Sequence, residues 1–331
     1  MTFPKQVVLL DLETTGLSPK QHQIICIGLT YLNEKGVFET DHWFLAHPDE
    51  EACLLQKLLT FLSHYEAIFT YNGRGFEFPF IKARLSHYGL DLSLFLKLKL
   101  IDMKLTLKAF CTKRSKLENL FHFKRQCQSS GQDIVRLYRT YIQTKDEIYK
   151  ACILAHQKEE LLSLALFFEL YMTLYQIKNW TLVTQKCQDL NLVLSIQHSS
   201  CFTADFKGVF KDSCLTYHQN EPFFKLTFPL FKGKLARHLE PVKDYYYIES
   251  QNELMHKSLI QFMPKNLIRK ATKAECVIYK EGTFIPIFSD YKMTFPLWHD
   301  ESNHLYLEYK DFSLDILQTQ LFYFFFSTQK R

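Results

Sequence analysis

The sequence has no apolar run of the roughly 18 residues that a membrane-spanning helix requires. It also holds only 10 Gly and 10 Pro among 331 residues, which argues against long disordered or linker-like regions. The nine cysteines are odd in number and no two are spaced C-x-x-C, so they read as buried or free thiols of a reducing compartment. No secretory leader is apparent, because the first six residues lead into a strand-length apolar run and then into acids. The expectation is a soluble, cytoplasmic chain without a membrane partner. Charge of one sign is modest too: a net +5 and a pI near 8.6 permit a nucleic-acid partner without demanding one. Core-forming residues are abundant. Hydrophobic residues make up 47% of the chain, with 30 Phe and 18 Tyr, enough for one large or two modest domains.

The stretch that organises the rest is residues 7–16, VVLLDLETTG. A strand-length apolar run ends in Asp11 and Glu13, which the period of two places on one face of the strand end. Two like charges side by side repel, and a hard divalent cation held through oxygen offsets that repulsion. Taken alone, the pair equally describes two solvated acids at a strand end.

Periodicity divides the first half of the chain into alternating elements. Residues 23–31 and 37–44 read as strands joined by a turn at 33–36, and a helix opens at Pro48 and runs to about His64. Residues 67–71 form a short buried strand, about Glu77 to Tyr88 a helix, and 98–103 another short strand containing Asp102, which reads as structural. Helices follow over 133–141 and 146–177. The order is strands, helix, strand, helix, strand, helices, an α/β pattern with a mixed sheet, in which ligands bind at the carboxyl ends of strands. Between Lys97 and Arg125 stand nine Lys or Arg against two acids, a basic segment beside the expected site. Beyond about Trp180 the composition turns β-rich with aromatic clusters at 223–228, 245–247 and 321–326, interrupted by a helix expected over 252–263. The expected division is 1–178 and 185–331.

Two further motifs point back to the Asp11 strand. In 71–80, YNGRGFEFPF, Glu77 stands at a helix start, where the macrodipole favours any carboxylate. In 156–160, HQKEE, His156 and Glu160 lie one helical turn apart and so on one face.

In this order, Asp-Leu-Glu-Thr-Thr-Gly, Asn-Gly-x-x-Phe-acid-x-Pro-Phe and His-x-x-x-acid resemble the three exonuclease motifs of the DEDD (DnaQ-like) 3′–5′ exonuclease superfamily. The intervening residues, among them Ile101-Asp102-Met103 and Lys116-Leu117-Glu118, are most similar to the YprB-like ribonuclease H-like group, and the resemblance spans about Gln6 to Tyr175. It implies a ribonuclease H-like mixed sheet flanked by helices, followed here by a smaller β-rich α+β domain of unknown role. It also implies hydrolysis of single-stranded DNA or RNA from the 3′ end with two Mg²⁺ or Mn²⁺ ions. Carried over by position, Asp11, Glu13, Glu77 and Glu160 would hold metal. His156 would act as general base, and Thr14, Asn72 and Phe76 would position the strand. The chain departs from the family pattern by carrying Glu rather than Asp at 77 and 160, and Gln157 where Asn is common. Each longer acid adds roughly 1.5 Å of reach, on a scale where about 1 Å of misplacement costs on the order of a hundredfold in rate. The alternative is therefore a catalytically degenerate module that binds nucleic acid or a protein.

Overall fold

The computed structural model describes residues 6–32, 38–127, 129–197, 204–260, 263–288 and 295–326. The turn expected at 33–36 lies outside them.

Strand β1 (Val7–Thr14) is buried along its whole length. It pairs antiparallel with β2 (Ile24–Leu32) and parallel with β4 (Ala67–Thr70). With β3 (Phe38–Phe44) and β5 (Lys99–Asp102) these strands form a mixed five-stranded sheet ordered β3-β2-β1-β4-β5. The alternation of β1 allocates its two faces. Val8, Leu10 and Leu12 pack with Leu55, Leu58 and Leu62 of α1 (Glu51–Leu62) and with Phe80, Ile81 and Leu85 of α2 (Glu77–His87). Val7 and Leu9 face the other way, into the cluster that holds Leu161, Leu164 and Phe168 of the long helix. Asp11 and Glu13 share that parity.

Three short helices appear where the sequence pattern suggested none: α3 (Ser93–Lys97) leads into the basic segment, and α4 (Lys104–Leu107) and α5 (Arg114–Leu120) lie within it. Then come α6 (Gly131–Thr144) and α7 (Glu147–Tyr175). The buried face of α7 begins at Ile153, and Ala151 before it is exposed. At 29 residues α7 is about 44 Å long, and along its second half Phe168 and Tyr171 still meet Phe69 of β4 edge to face. There Leu170, Tyr171 and Leu174 are buried, and Tyr171 meets Phe326 edge to face.

The remainder is β-rich. Strands β6 (Thr181–Gln188), β7 (Asn191–Gln197), β8 (Phe206–Phe210), β9 (Ser213–Tyr217) and β10 (Phe224–Pro229) form an antiparallel sheet ordered β6-β7-β10-β9-β8. A small closed barrel holds β11 (Phe231–His238), and β12 (Tyr245–Ile248), β13 (Glu253–His256) and β14 (Arg269–Lys270) form a three-stranded sheet. The barrel is completed by β15 (Val277–Pro286), β16 (Leu297–His299) and β17 (Leu305–Glu308), and the chain continues into α8 (Leu314–Phe326). One apolar cluster runs from β1 through α7 and the β6 to β10 sheet to α8.

Two expectations are corrected here. Residues 253–256 form a strand paired with β12, not a helix, and Asn252 closes that hairpin in the left-handed region at φ 52°. Asn tolerates that conformation far better than most residues. Residues 261–262 of the same expected helix lie outside the described residues. The aromatic run 321–326 is helical, not part of the β structure. Leu317, Leu321 and Phe325 recur at helical spacing on its buried face, a period that so short an apolar run does not reveal alone.

Candidate active site

Asp11 lies near the carboxyl end of β1 opposite Gly28, and Glu13 lies opposite Cys26 just before an irregularity in the β1/β2 register. The next strand across, β4, leads through Asn72, held at φ 77°, into α2, whose first residue is Glu77. From above, α7 lowers His156, Gln157 and Glu160 onto the strand end. Three elements thus deliver the expected acids and histidine to one place. Asp11, Glu13, Glu77 and His156 are between 5% and 8% exposed, and the Glu160 side chain 13%.

The imidazole Nε2 of His156 stands 3.4 Å from Glu13 Oε1 and 3.6 Å from Glu160 Oε1. Gln157 donates from Nε2 to Asp11 Oδ2 at 2.9 Å and to the Asp11 carbonyl at 3.2 Å, which fixes that carboxylate against the strand. Gly28 makes this possible, since a β-carbon there would lie 2.7 Å from the Gln157 amide nitrogen. Asp102 has the structural role expected of it. It accepts the backbone N–H groups of Asn72, Arg74 and Lys104 and so pins the turn before Glu77. The Asn72 side-chain oxygen accepts from Lys104 Nζ at 3.0 Å. Thr14 and Phe76 line a groove of about 1120 Å³ that extends from Glu13 past residues 15–18 to Arg136 and Arg139 of α6.

Two residues outside the expected set occupy the centre. Arg114, at the start of α5, donates from Nη2 to the Glu160 carbonyl at 2.7 Å and to Ser163 Oγ at 2.9 Å. It pairs with Glu160 Oε2 at 2.7 Å and with Asp11 Oδ1 at 3.5 Å. Arg125 takes the other Glu160 oxygen and forks onto both oxygens of Glu118. The signals that could have located this pair are the i, i+4 spacing of Arg114 and Glu118 and the basic segment itself; two of its cations turn inward rather than toward solvent.

The electrostatics divide the acids into two groups. Burial, then the Glu160 charge, pushes the Asp11 carboxyl from about 3.8 up to about 7, although Arg114 works against the shift. Burial, then Asp11, raises Glu77 from about 4.5 to about 8, and Glu13 is also raised well above the usual range by burial and then by Asp11 and Glu160. Burial would raise Glu160 as well, but Arg114 and Arg125 outweigh it and hold that carboxyl low. Burial lowers His156 against the pull of Glu160, which keeps a neutral, proton-accepting imidazole at physiological pH.

Glu77 Oε2 and His156 Nδ1 are buried without a hydrogen-bond partner. An unpaired carboxylate oxygen among acids raised by burial and then by their mutual repulsion fits one hard cation on the Asp11, Glu13 and Glu77 side. Among the described residues no three His, Cys, Asp or Glu side chains are arranged to enclose an ion. Mg²⁺ needs no such cage, because it is commonly held through one or two carboxylates, its own waters and substrate phosphates. The expected second position does not fit, because guanidinium groups already engage both oxygens of Glu160.

A prediction follows for Glu77. The unfolded chain releases the Asp11 and Glu77 protons near 3.8 and 4.5, whereas the folded chain holds them until about pH 7 and about pH 8, so stability falls as pH rises between those limits. Replacing Glu77 with Gln removes one of these charges. In chelator it is expected to raise unfolding stability by on the order of 2 kcal/mol at pH 8 and to change little at pH 5. Chemical denaturation at the two pH values measures this, and an equal or greater loss at pH 8 than at pH 5 would contradict the charge assignment.

Residues 8–172 match the RNase_H superfamily, from β1 into the last turns of α7. The chain carries an RNase_H superfamily domain. Within the wider chain, 53 residues are 42% identical to a DNA polymerase of Methanocaldococcus jannaschii, covering 14% of this chain and 3% of that protein. Among solved structures, the family B DNA polymerase from Pyrobaculum calidifontis aligns over 78% of this chain and 40% of its own, with 11% identity and a TM-score of 0.44. Exonuclease I without ligand aligns over 57% of this chain and 56% of its own, with 9% identity and a TM-score of 0.30. The RNase_H superfamily domain thus makes up about half of the chain, and the chain spans only a small part of the curated relative. Among the described residues no helix is long and apolar enough to cross a membrane.

Proposed function

We propose that this chain is a metal-dependent 3′–5′ exonuclease that hydrolyses phosphodiester bonds of single-stranded DNA or RNA. The observation that carries the reading is the delivery of Asp11, Glu13, Glu77, His156 and Glu160 to one strand end of an RNase_H superfamily domain, where Glu13 lines a groove large enough for nucleotides. Nucleases of this fold generally use divalent metals. An ion held by Asp11, Glu13 and Glu77 would supply positive charge to the phosphate and to the attacking water.

The chain's own residues do the rest. His156, neutral and with Nε2 turned toward Glu13 and Glu160, accepts the proton of the attacking water. Gln157 holds Asp11 in one orientation. Phe76 offers a ring against which a terminal base stacks, and Arg136 and Arg139 lie where a phosphate backbone leaves the groove. Residues 185–331 form, in this reading, a β-rich unit of unassigned role that shares one apolar cluster with α7 and β1.

The test is release of mononucleotides from 5′-labelled single-stranded DNA and RNA with Mg²⁺ or Mn²⁺. Progressive shortening from the 3′ end that stops in chelator is expected; intact oligonucleotide of both sugars under all metals sinks the proposal. The two arginines on Glu160 favour one second reading, a site that binds nucleic acid without cutting it. Glu77→Asp and Glu160→Asp separate the two in the same assay. Loss of cleavage shows that the glutamates belong to a working site, and a large gain shows a degenerate one.

A further inference from the structure

The arrangement around Glu160 differs from a two-cation site in a specific way. Both of its oxygens are engaged, one by Arg114 at 2.7 Å and the other by Arg125. Arg114 also reaches Asp11 at 3.5 Å, so one guanidinium lies between the two carboxylates that a shared ion would bridge. Neither arginine is a loosely held surface cation. Arg114 is fixed by Ser163 Oγ and the Glu160 carbonyl, and its guanidinium carbon lies 5.6 Å from the ring centres of both Tyr71 and Phe167. Arg125 is forked onto Glu118, which is itself buried. Planar guanidinium groups meet carboxylates two bonds at a time and keep their charge at any physiological pH.

We propose that Arg114 and Arg125 take the place of the second divalent cation, so that the site binds no more than one metal ion, on the Asp11, Glu13 and Glu77 side. The unusual length of Glu160 fits this assignment. An aspartate at 160 would end roughly 1.5 Å nearer the helix and so farther from the two guanidiniums, whereas the extra methylene carries the carboxylate out to them. A divalent ion entering beside Glu160 would have to displace two positive groups that are each held by other partners. Arg114 is on this assignment a positioning residue, a fixed positive charge between Asp11 and Glu160 that needs no metal to be present.

The inference rests on the proposed hydrolytic site, and its test is a binding measurement that needs no cleavage. Mn²⁺ is titrated into the purified full chain without nucleic acid, and free Mn²⁺ is followed by electron paramagnetic resonance. The wild type is expected to take up one ion or none, and the Arg114→Gln/Arg125→Gln variant one more than the wild type, with an unchanged far-ultraviolet circular dichroism spectrum. Two ions bound by the wild type overturn the assignment, as does a folded double variant with no added ion. Should the double variant fail to fold, the wild-type stoichiometry still decides. One ion with no cleavage of any oligonucleotide rejects the nuclease reading and keeps the arginine assignment; two ions with cleavage does the reverse.

Discussion

Asp11→Ala is expected to lower the rate of oligonucleotide hydrolysis by on the order of a thousandfold or more while leaving the fold intact. Asp11 is the acid on which the rest of the site converges. Gln157 orients it, Arg114 pairs with it, and its charge raises both Glu13 and Glu77. A thousandfold loss corresponds to about 4 kcal/mol of transition-state stabilisation, within the range that single preorganised electrostatic groups supply in water-excluded sites. Removing Asp11 also relieves repulsion felt by two neighbouring buried carboxylates, so the variant should unfold no more easily than the wild type. Single-turnover cleavage and urea denaturation measured on the same preparation separate the two effects. Activity within tenfold of wild type would remove Asp11 from the chemistry, and a parallel loss of stability would make the rate uninterpretable as a catalytic effect.

The largest stability effect is expected at Arg84, a buried residue of α2. Glu51 is wholly buried at the start of α1 and Arg84 is 4% exposed on α2. The Glu51 carboxylate accepts from Arg84 Nη2 at 2.6 Å and Nε at 3.0 Å, from the Ile24 N–H at 2.9 Å and from Tyr88 Oη at 3.0 Å. Arg84 Nη1 donates in turn to the Pro19 carbonyl at 3.3 Å, which ties the loop after β1 to the helices. Arg84→Ala would strand a buried carboxylate, a change that costs about 3–5 kcal/mol, whereas replacing both partners with apolar residues of similar volume is often close to neutral. Urea unfolding of Arg84→Ala, Glu51→Leu and Glu51→Leu/Arg84→Met measures this. The double variant should be markedly more stable than Arg84→Ala, and an Arg84→Ala cost below about 1 kcal/mol would show that the pair is not buried in solution.

Much of the ribonuclease H-like half was legible from period alone. The apolar run at 7–10, Leu55, Leu58 and Leu62 at helical spacing, and a proline two residues into α2 each left one reading open. The grouping of Asp11 with Glu13 followed from the alternation of a strand, and that of His156 with Glu160 from the turn of a helix. What sequence could not supply was direction. A segment with nine basic residues looks the same whether its side chains meet solvent or fold back, and only the packing of α5 and the residues after it shows that Arg114 and Arg125 turn inward onto Glu118 and Glu160. The failures beyond residue 180 have a different origin. Residues 253–256 and 321–326 are too short for one period to dominate, and their state is decided by what covers them: a neighbouring strand of tyrosines in one case, the end of α7 in the other.

The close approach of Gln157 to the backbone of β2 has an evolutionary consequence. Because a side chain at residue 28 would collide with the Gln157 amide, and that amide holds Asp11, positions 28 and 157 cannot drift independently. A residue larger than glycine at 28 would press on both the Gln157 amide and Leu161 Cδ1 at 2.9 Å, so it needs room made at 157 and 161 of α7, at the expense of the grip on Asp11. The route by which this site could change is therefore a coordinated substitution on β2 and α7, two elements far apart in sequence.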